Sequence, residues 1–229
     1  MRYSLNTILL IILPAIFAIV PVCAEEQRKI DNPPQKTLEN NSHSIIKKEK
    51  GPEAKSVLNQ LQRDMAPITE IDSEFTQLKK LAIFSKALLI TGRMKIRMPR
   101  YFKWEVLTPL KSSVEVDGEN VTIWDEETDK KVVMSLKDNP VAGGIWTQID
   151  SFFMGRYDSL KKMYDIKLLS TTPLTFRFIP LSKPLSTVMK NVTLTFAESK
   201  QGRYLQRVVM RENGGDSTTI DFKNVRLRR

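Results

Sequence analysis

The stretch LLITGRMKIRMPRYFKWEVLTP, residues 88–109, decides the fold. In it Leu88, Ile90, Gly92, Met94 and Ile96 alternate with Leu89, Thr91, Arg93 and Lys95. After the break at Pro99, Phe102, Trp104 and Val106 alternate with Tyr101, Lys103 and Glu105. A period of two sends successive side chains to opposite faces, so the segment reads as an antiparallel pair with one apolar face.

The same period continues outward. Upstream, Ile71, Ser73, Phe75 and Gln77 alternate with charged or polar neighbours. Downstream, the spacing predicts short strands over 113–116, 121–124 and 131–136, turned at Asp117-Gly118 and at 126–129. Strands resume over 166–169, 174–179, 188–196, 204–210 and 218–225. Two helical segments interrupt the pattern. Ala54, Val57, Leu58, Leu61 and Met65 share one face of a helix over 53–65, which Pro67 ends. Within 139–164, Pro140 and Gly143-Gly144 open a helix carrying Ile145, Trp146, Ile149, Phe152 and Phe153; Gly155 breaks it, and Leu160, Met163 and Tyr164 suggest a second short helix. A twisted sheet of this many strands must curl, and apolar helices can plug the hollow. The expected fold is mainly β (α+β): an incomplete antiparallel barrel of about 10–11 strands, with an N-terminal helix and a mid-chain helical lid.

The N-terminal segment points outside the cytoplasm. One basic residue, Arg2, precedes an uncharged apolar run from Ile8 to Val22, which is short for a bilayer span. Small residues near Cys23-Ala24 place cleavage before Glu25, giving a signal peptide over 1–24. The alternative is a lipoprotein signal acylated at Cys23, which would make the protein a membrane-tethered acceptor. Cys23 is the only cysteine, so cleavage would leave no disulfide and no thiolate. Residues 25–52 are polar, with Pro33-Pro34 and Lys47-Lys48-Glu49-Lys50, and read as a disordered linker before a single domain over 53–229. The only histidine, His43, lies in that linker.

The net charge is +10, but the basic residues are scattered, which suits solubility and weak attraction to anionic membranes. The sequence has no dense basic stripe or aromatic stacking motif, so no nucleic-acid partner is expected. The domain from residue 53 contains neither His nor Cys, which rules out Ser-His-Asp and Cys-His catalysis. Carboxylates at Asp117, Glu119, Asp125, Glu126, Glu127 and Asp129 fall at hairpin turns without the spacing of a calcium loop. The expectation is no enzyme, no metal and no cofactor.

Four blocks carry a resemblance. They are Glu74-Phe75-Thr76-Gln77-Leu78-Lys79; then Gly92, Pro99, Phe102, Trp104-Glu105, Pro109, Asp117-Gly118 and Ile123-Trp124; then Phe152-Phe153-x-Gly155 with Tyr164-Asp165-Ile166; and finally Thr218 to Asn224. In this order the chain resembles the periplasmic outer-membrane lipoprotein carriers, the LolA-like proteins. The resemblance implies a half-barrel closed by a helical lid over a hydrophobic cavity. It also implies a monomeric periplasmic carrier that takes acylated lipoprotein, or a related lipid, from an inner-membrane release complex to an outer-membrane acceptor, touching membrane surfaces transiently. Leu88, Ile90, Met94, Ile96, Phe102, Trp104, Val106, Val114, Val116, Ile123 and Met134 would line the cavity, and Ile145, Trp146, Ile149, Phe152 and Phe153 would form the lid. Such carriers often place a lid-holding arginine before the proline of the second block; here Met98 stands there, flanked by Arg97 and Arg100 as possible substitutes. The chain ends in Arg226-Leu227-Arg228-Arg229, not in the apolar tail typical of these carriers. The same residues would also fit a solid core, and the same half-barrel could serve as an envelope sensor or scaffold for a protein partner.

Overall fold

A computed structural model describes residues 51–229. The expected signal segment, Cys23, His43 and the linker up to residue 50 lie outside these residues. The chain enters as helix α1 (Gly51–Met65) and forms β1 (Glu70–Lys80), β2 (Leu88–Arg97), β3 (Tyr101–Thr108), β4 (Ser112–Asp117), β5 (Asn120–Asp125) and β6 (Lys130–Ser135). Helix α2 (Pro140–Phe153) and a 3-10 turn (Leu160–Lys162) follow. The chain ends with β7 (Tyr164–Thr171), β8 (Leu174–Pro180), helix α3 (Lys183–Val188), β9 (Met189–Ser199), β10 (Gly202–Glu212) and β11 (Ser217–Arg228).

All eleven strands belong to one sheet in the order β6-β5-β4-β3-β2-β1-β11-β10-β9-β8-β7. Every pairing is antiparallel. The sheet is open between β6 and β7, and α2 lies in the connection between those two edge strands. Strand β1 is the midline, with five strands on either side. We call β2–β6 the first wing and β7–β11 the second.

The alternation in the sequence becomes the pleat. Ile71, Ser73, Phe75 and Gln77 are buried on β1, and Phe102, Trp104 and Val106 on β3. Gly92 sits between them because nothing larger fits. A Cβ there would lie 2.1 Å from the Glu105 carbonyl oxygen and 2.4 Å from Cζ of Phe75. The gap lets the Phe75 ring cross β2 and stack on Trp104, with centroids 3.8 Å apart.

Three details differ from the sequence reading. Residues 160–162 make only a 3-10 turn, and Tyr164 opens β7 instead of ending a helix. The cause is the short interval: Tyr164 already pairs with Pro180, so too few residues remain for a full helical turn. Residues 183–188, expected as turn and strand, form α3, with a proline in its first turn where a missing N–H costs nothing. Strand β11 runs past 225 to Arg228 because a bulge opposite Ser73, with Asn224 at φ 53°, shifts the pleat by one. Leu227 therefore turns inward five residues after Phe222, a spacing that a regular strand would place on opposite faces. The basic terminal residues are thus part of the sheet: Arg228 pairs with Glu70 across β1, and Arg229 Nε donates to the Gln201 carbonyl.

Candidate functional site

The apolar inner faces of both wings and the inward sides of the helices form one continuous core. On the second wing the helices are seated by rings. Phe152 of α2 meets Phe178 at 5.6 Å and Tyr164 at 6.3 Å, both edge-on. Tyr157, just beyond α2, lies 6.0 Å from Phe178 and 6.1 Å from Phe196. Burial pushes the Tyr157 phenol well above its ordinary range, so it stays protonated. It donates to the Phe152 carbonyl at 3.2 Å and contacts Met65 Sδ at 3.6 Å, tying the end of α2 to α1. Gly155, at φ 74°, makes the turn that brings them together; a Cβ there would lie 2.9 Å from Cβ of Met65. Burial also raises Tyr164.

A second latch is polar. Ser151 Oγ lies 2.7 Å from the Thr147 carbonyl and 2.8 Å from Ser159 Oγ, and Arg156 reaches the Asp150 carboxylate at 3.0 Å. Asp150 is half-buried. Its desolvation raises the carboxyl pKa, outweighing the opposing charge and hydrogen bond of Arg156.

The first wing is lined differently. Met94, Ile96, Val106, Val114, Val116 and Ile123 are buried there with Phe102 and Trp104. Helices α1 and α2 lie chiefly against β10, the 3-10 turn against β7, and α3 against β8 and β9. Among the described residues no helix backbone approaches β2–β6 as closely, although the inner side chains of that wing are buried in the same core. At the seam between the wings, Phe222 of β11 meets Trp104 at 6.2 Å and Phe153 of α2 at 5.3 Å.

Most residues expected to line a cavity therefore share one inner surface. Ile90 and Met134 are half-buried at its margins. Leu88 is the exception: it lies beyond the covered surface, 45% exposed. Of the expected lid residues, Ile149, Phe152 and Phe153 are buried and Trp146 is half-buried on α2; the Ile145 side chain lies outside the described set. Arg97 pairs with Glu70 and covers the Tyr101 ring at 5.1 Å. Arg100 pairs with Glu119. Both partners belong to the sheet and its turns, not to α2. The sequence reading missed Tyr157, Phe176, Phe178 and Phe196. The period-two rows on β8 and β9 contained the last three, but only the fold brings Phe152 of α2 onto Phe178 and Tyr157 onto Phe196.

Among the described residues no group of three or more His, Cys, Asp or Glu could hold a metal ion, and no helix is long and apolar enough to cross a membrane. The site is thus an apolar surface with a helical cover.

Two outer-membrane lipoprotein carrier proteins of Pseudomonas putida, from strains W619 and GB-1, are 32% and 30% identical to the chain over 66 residues, which is 29% of this chain. Those matches span 31% and 32% of the relatives' own lengths. Among solved structures, a LolA superfamily protein of Nitrosomonas europaea has 12% identity and a TM-score of 0.41, covering 77% of this chain and 94% of that one. Lipoprotein LppX of Mycobacterium tuberculosis has 11% identity and a TM-score of 0.43, covering 77% and 96%. The sequence model described as outer membrane lipoprotein carrier protein LolA matches residues 67–229, well over half of the chain, and the protein belongs to that family.

Proposed function

We propose that the protein is a periplasmic carrier that holds the acyl chain of a lipoprotein, or of a related lipid, against the inner face of the first wing beneath α2. The observation that carries this reading is the contrast in how the wings are covered. The ring contacts of helix α2 fall on Tyr164, Phe178 and Phe222 of the second wing, while the buried rows of β2–β5 are mostly aliphatic. A chain of about sixteen carbons loses roughly 12 kcal/mol of unfavourable hydration when buried, so such a surface needs no directional chemistry. These side chains are buried, so cargo has to displace what covers them, and α2, in the connection between the two edge strands, is the cover proposed to move. Its Gly143-Gly144 pair weakens the helix by about 1 kcal/mol per glycine relative to alanine, which favours local opening. Transfer from an inner-membrane complex to an outer-membrane acceptor, and a signal-cleaved chain free in the periplasm, complete the proposal.

The test is native mass spectrometry of the protein purified from the envelope, followed by titration with a fluorescent fatty acid. Stoichiometric acyl ligand and saturable uptake are expected; a ligand-free protein that also fails to take up the probe would sink the reading. The two edge strands, β6 and β7, which do not pair with each other, favour one second reading: a half-barrel that receives a partner's strand. A lipid-free protein recovered with a bound polypeptide would select it.

A further inference from the structure

We propose that the end of the sheet bearing the β1–β2 hairpin is a membrane-docking edge that seats Ile83 and Phe84 in the interface of an anionic bilayer. The proposal goes beyond the carrier reading and does not depend on what the inner face holds.

The connections β1–β2, β3–β4, β5–β6, β8–β9 and β10–β11 all lie at one end of the antiparallel sheet. Among the described residues, eight of the ten exposed large apolar side chains are at this end. The outermost are Ile83, 85% exposed, and Phe84, 62% exposed. Leu110 on the β3–β4 turn, Leu181 just before α3 and Val188 at its end continue the apolar edge on either side. Of the remaining three, Leu78 lies on the outer face of β1 opposite Leu89, and Leu88 and Leu89 are on the part of the hairpin that projects. Pairing of β2 with β3 starts only at Thr91, so residues 88–90 reach about 10 Å beyond their neighbour. Apolar area of this kind, gathered at one end of a soluble domain, marks an interaction surface.

The tip is held, not floppy. Phe84 N–H donates to the Leu81 carbonyl at 3.0 Å, closing a turn. Asp216 Oδ1 accepts from the Ala82 N–H at 2.8 Å and braces that turn against the β10–β11 connection. Asn213 in turn donates to the Ser186 and Thr187 carbonyls at 2.7 and 2.9 Å, joining α3 to the same frame. Ordering these residues in advance lowers the entropic cost of inserting them.

Charge selects the partner. Lys79, Lys80 and Lys86 flank the tip, with Arg211, Lys183 and Lys190 on the adjoining strand and helix ends. The carboxylates close to this group are Glu212 and Asp216, and the latter is engaged with Ala82. The other acidic residues of this end are Asp165 at the start of β7, paired with Lys167, and those of the β5–β6 turn two hairpins away, where Glu126 pairs with Lys111 and Asp125 holds Thr128. Large apolar side chains ringed by lysines match the interface of an anionic bilayer, where each basic residue and each buried methylene adds to binding.

The experiment is flotation of the full secreted chain with phosphatidylglycerol vesicles, using phosphatidylcholine vesicles as the comparison. Binding to phosphatidylglycerol that weakens with salt is expected. Combined Ile83→Ser and Phe84→Ser substitution should weaken it by tenfold or more, and Lys79→Gln, Lys80→Gln and Lys86→Gln by about fivefold each. Fatty-acid uptake, read on the same variants, should be unchanged, so failure of the docking edge and failure of the carrier reading are separate results. The proposal is overturned if the protein does not float with phosphatidylglycerol, or if the Ile83/Phe84 variant floats as well as the parent. It is also overturned if that variant abolishes a concentration-dependent dimer without affecting flotation, since the tip would then belong to a second copy.

Discussion

The two wings have the same number of strands and the same pleat, yet their inner faces are made of different material. The second wing presents Phe176 together with Tyr164, Phe178 and Phe196; Tyr164 and Phe178 meet Phe152 edge-on, and Phe196 meets Tyr157 edge-on. The first wing presents mostly aliphatic side chains, with aromatic rings only on β3. Edge-to-face ring contacts have preferred geometries and fix what lies on them. Aliphatic rows have no such directionality, and a methylene chain can slide along them at little cost. The difference teaches how one sheet can both anchor a cover and, in the proposed carrier, accept a cargo of variable length.

The sharpest way to break this contrast is to remove a ring from the anchored side. Phe178 is fully buried and meets Phe152, Tyr157 and Tyr164. Phe178→Ala should cost about 3–5 kcal/mol in a denaturant unfolding curve, because no neighbouring ring can fill the space. Ile96→Val on the first wing should cost only about 0.5–1.5 kcal/mol. Equal costs would mean that the wings are packed alike and that the contrast has no energetic meaning.

Gly92 tests the seam. In Gly92→Ala the new methyl must displace either the Glu105 carbonyl or the Phe75 ring, and the carbonyl is held by the β2–β3 pairing. The ring should move, unstacking from Trp104, at a cost of about 1–3 kcal/mol. Loss of the Trp104 near-ultraviolet circular dichroism signal would report it. An unchanged signal with full stability would show that the seam is softer than the close approach of Phe75 implies.

Much of this architecture was legible because a period of two is hard to mistake. Residues 88–109 and the rows on β1, β4 and β5 carry their inner and outer faces in plain alternation. The failures share a cause: each depended on a distant partner. Tyr164 looked helical by its spacing from Leu160, but pairing with Pro180 made it a strand residue. The extension of β11 to Arg228 depends on a bulge, which breaks the alternation that marks a strand. Leu88 fits the inner-face pattern, yet it is exposed because β3 ends before reaching it. The site was legible to the same degree. Its apolar rows were visible, but which wing carries α2 was not, since edge-on ring contacts between residues such as Phe152 and Phe178 have no sequence period.

The polar latch that ties α2 to the loop after it should respond more weakly. Ser151→Ala removes contacts to the Thr147 carbonyl and Ser159 Oγ, while Ser159 keeps its bond to the Arg156 carbonyl. A cost of about 1 kcal/mol is expected. Hydrogen exchange should rise along α2 while β7–β10 stay protected, and probe uptake should quicken. Faster exchange throughout the second wing would mean that α2 and its strands open as one unit, not as cover and wall.

The smallest effect tests what holds both wings to the midline. Glu70, on β1, meets Lys95 and Arg97 of β2 on one side and Arg228 of β11 on the other. Desolvation pushes its carboxyl pKa up, but the Lys95 hydrogen bond and the charges of Arg228, Lys95 and Arg97 together hold it below the ordinary value. A depressed carboxyl contributes stability above its unfolded pKa, and that contribution is lost as pH falls through the folded value. Asp150 and Glu212 act oppositely: desolvation raises both, so they favour the folded state more as acid is added. The parent's acid profile is therefore a balance of opposing groups. Subtracting the profile of Glu70→Gln isolates the clasp. The difference should be largest near neutral pH and vanish below the ordinary carboxylate range, and it should shrink with salt because the partners are partly exposed. A difference that persists into acid would assign the effect of Glu70 to packing at the strand ends, leaving the wings joined by backbone pairing and the Phe75–Trp104–Phe222 seam.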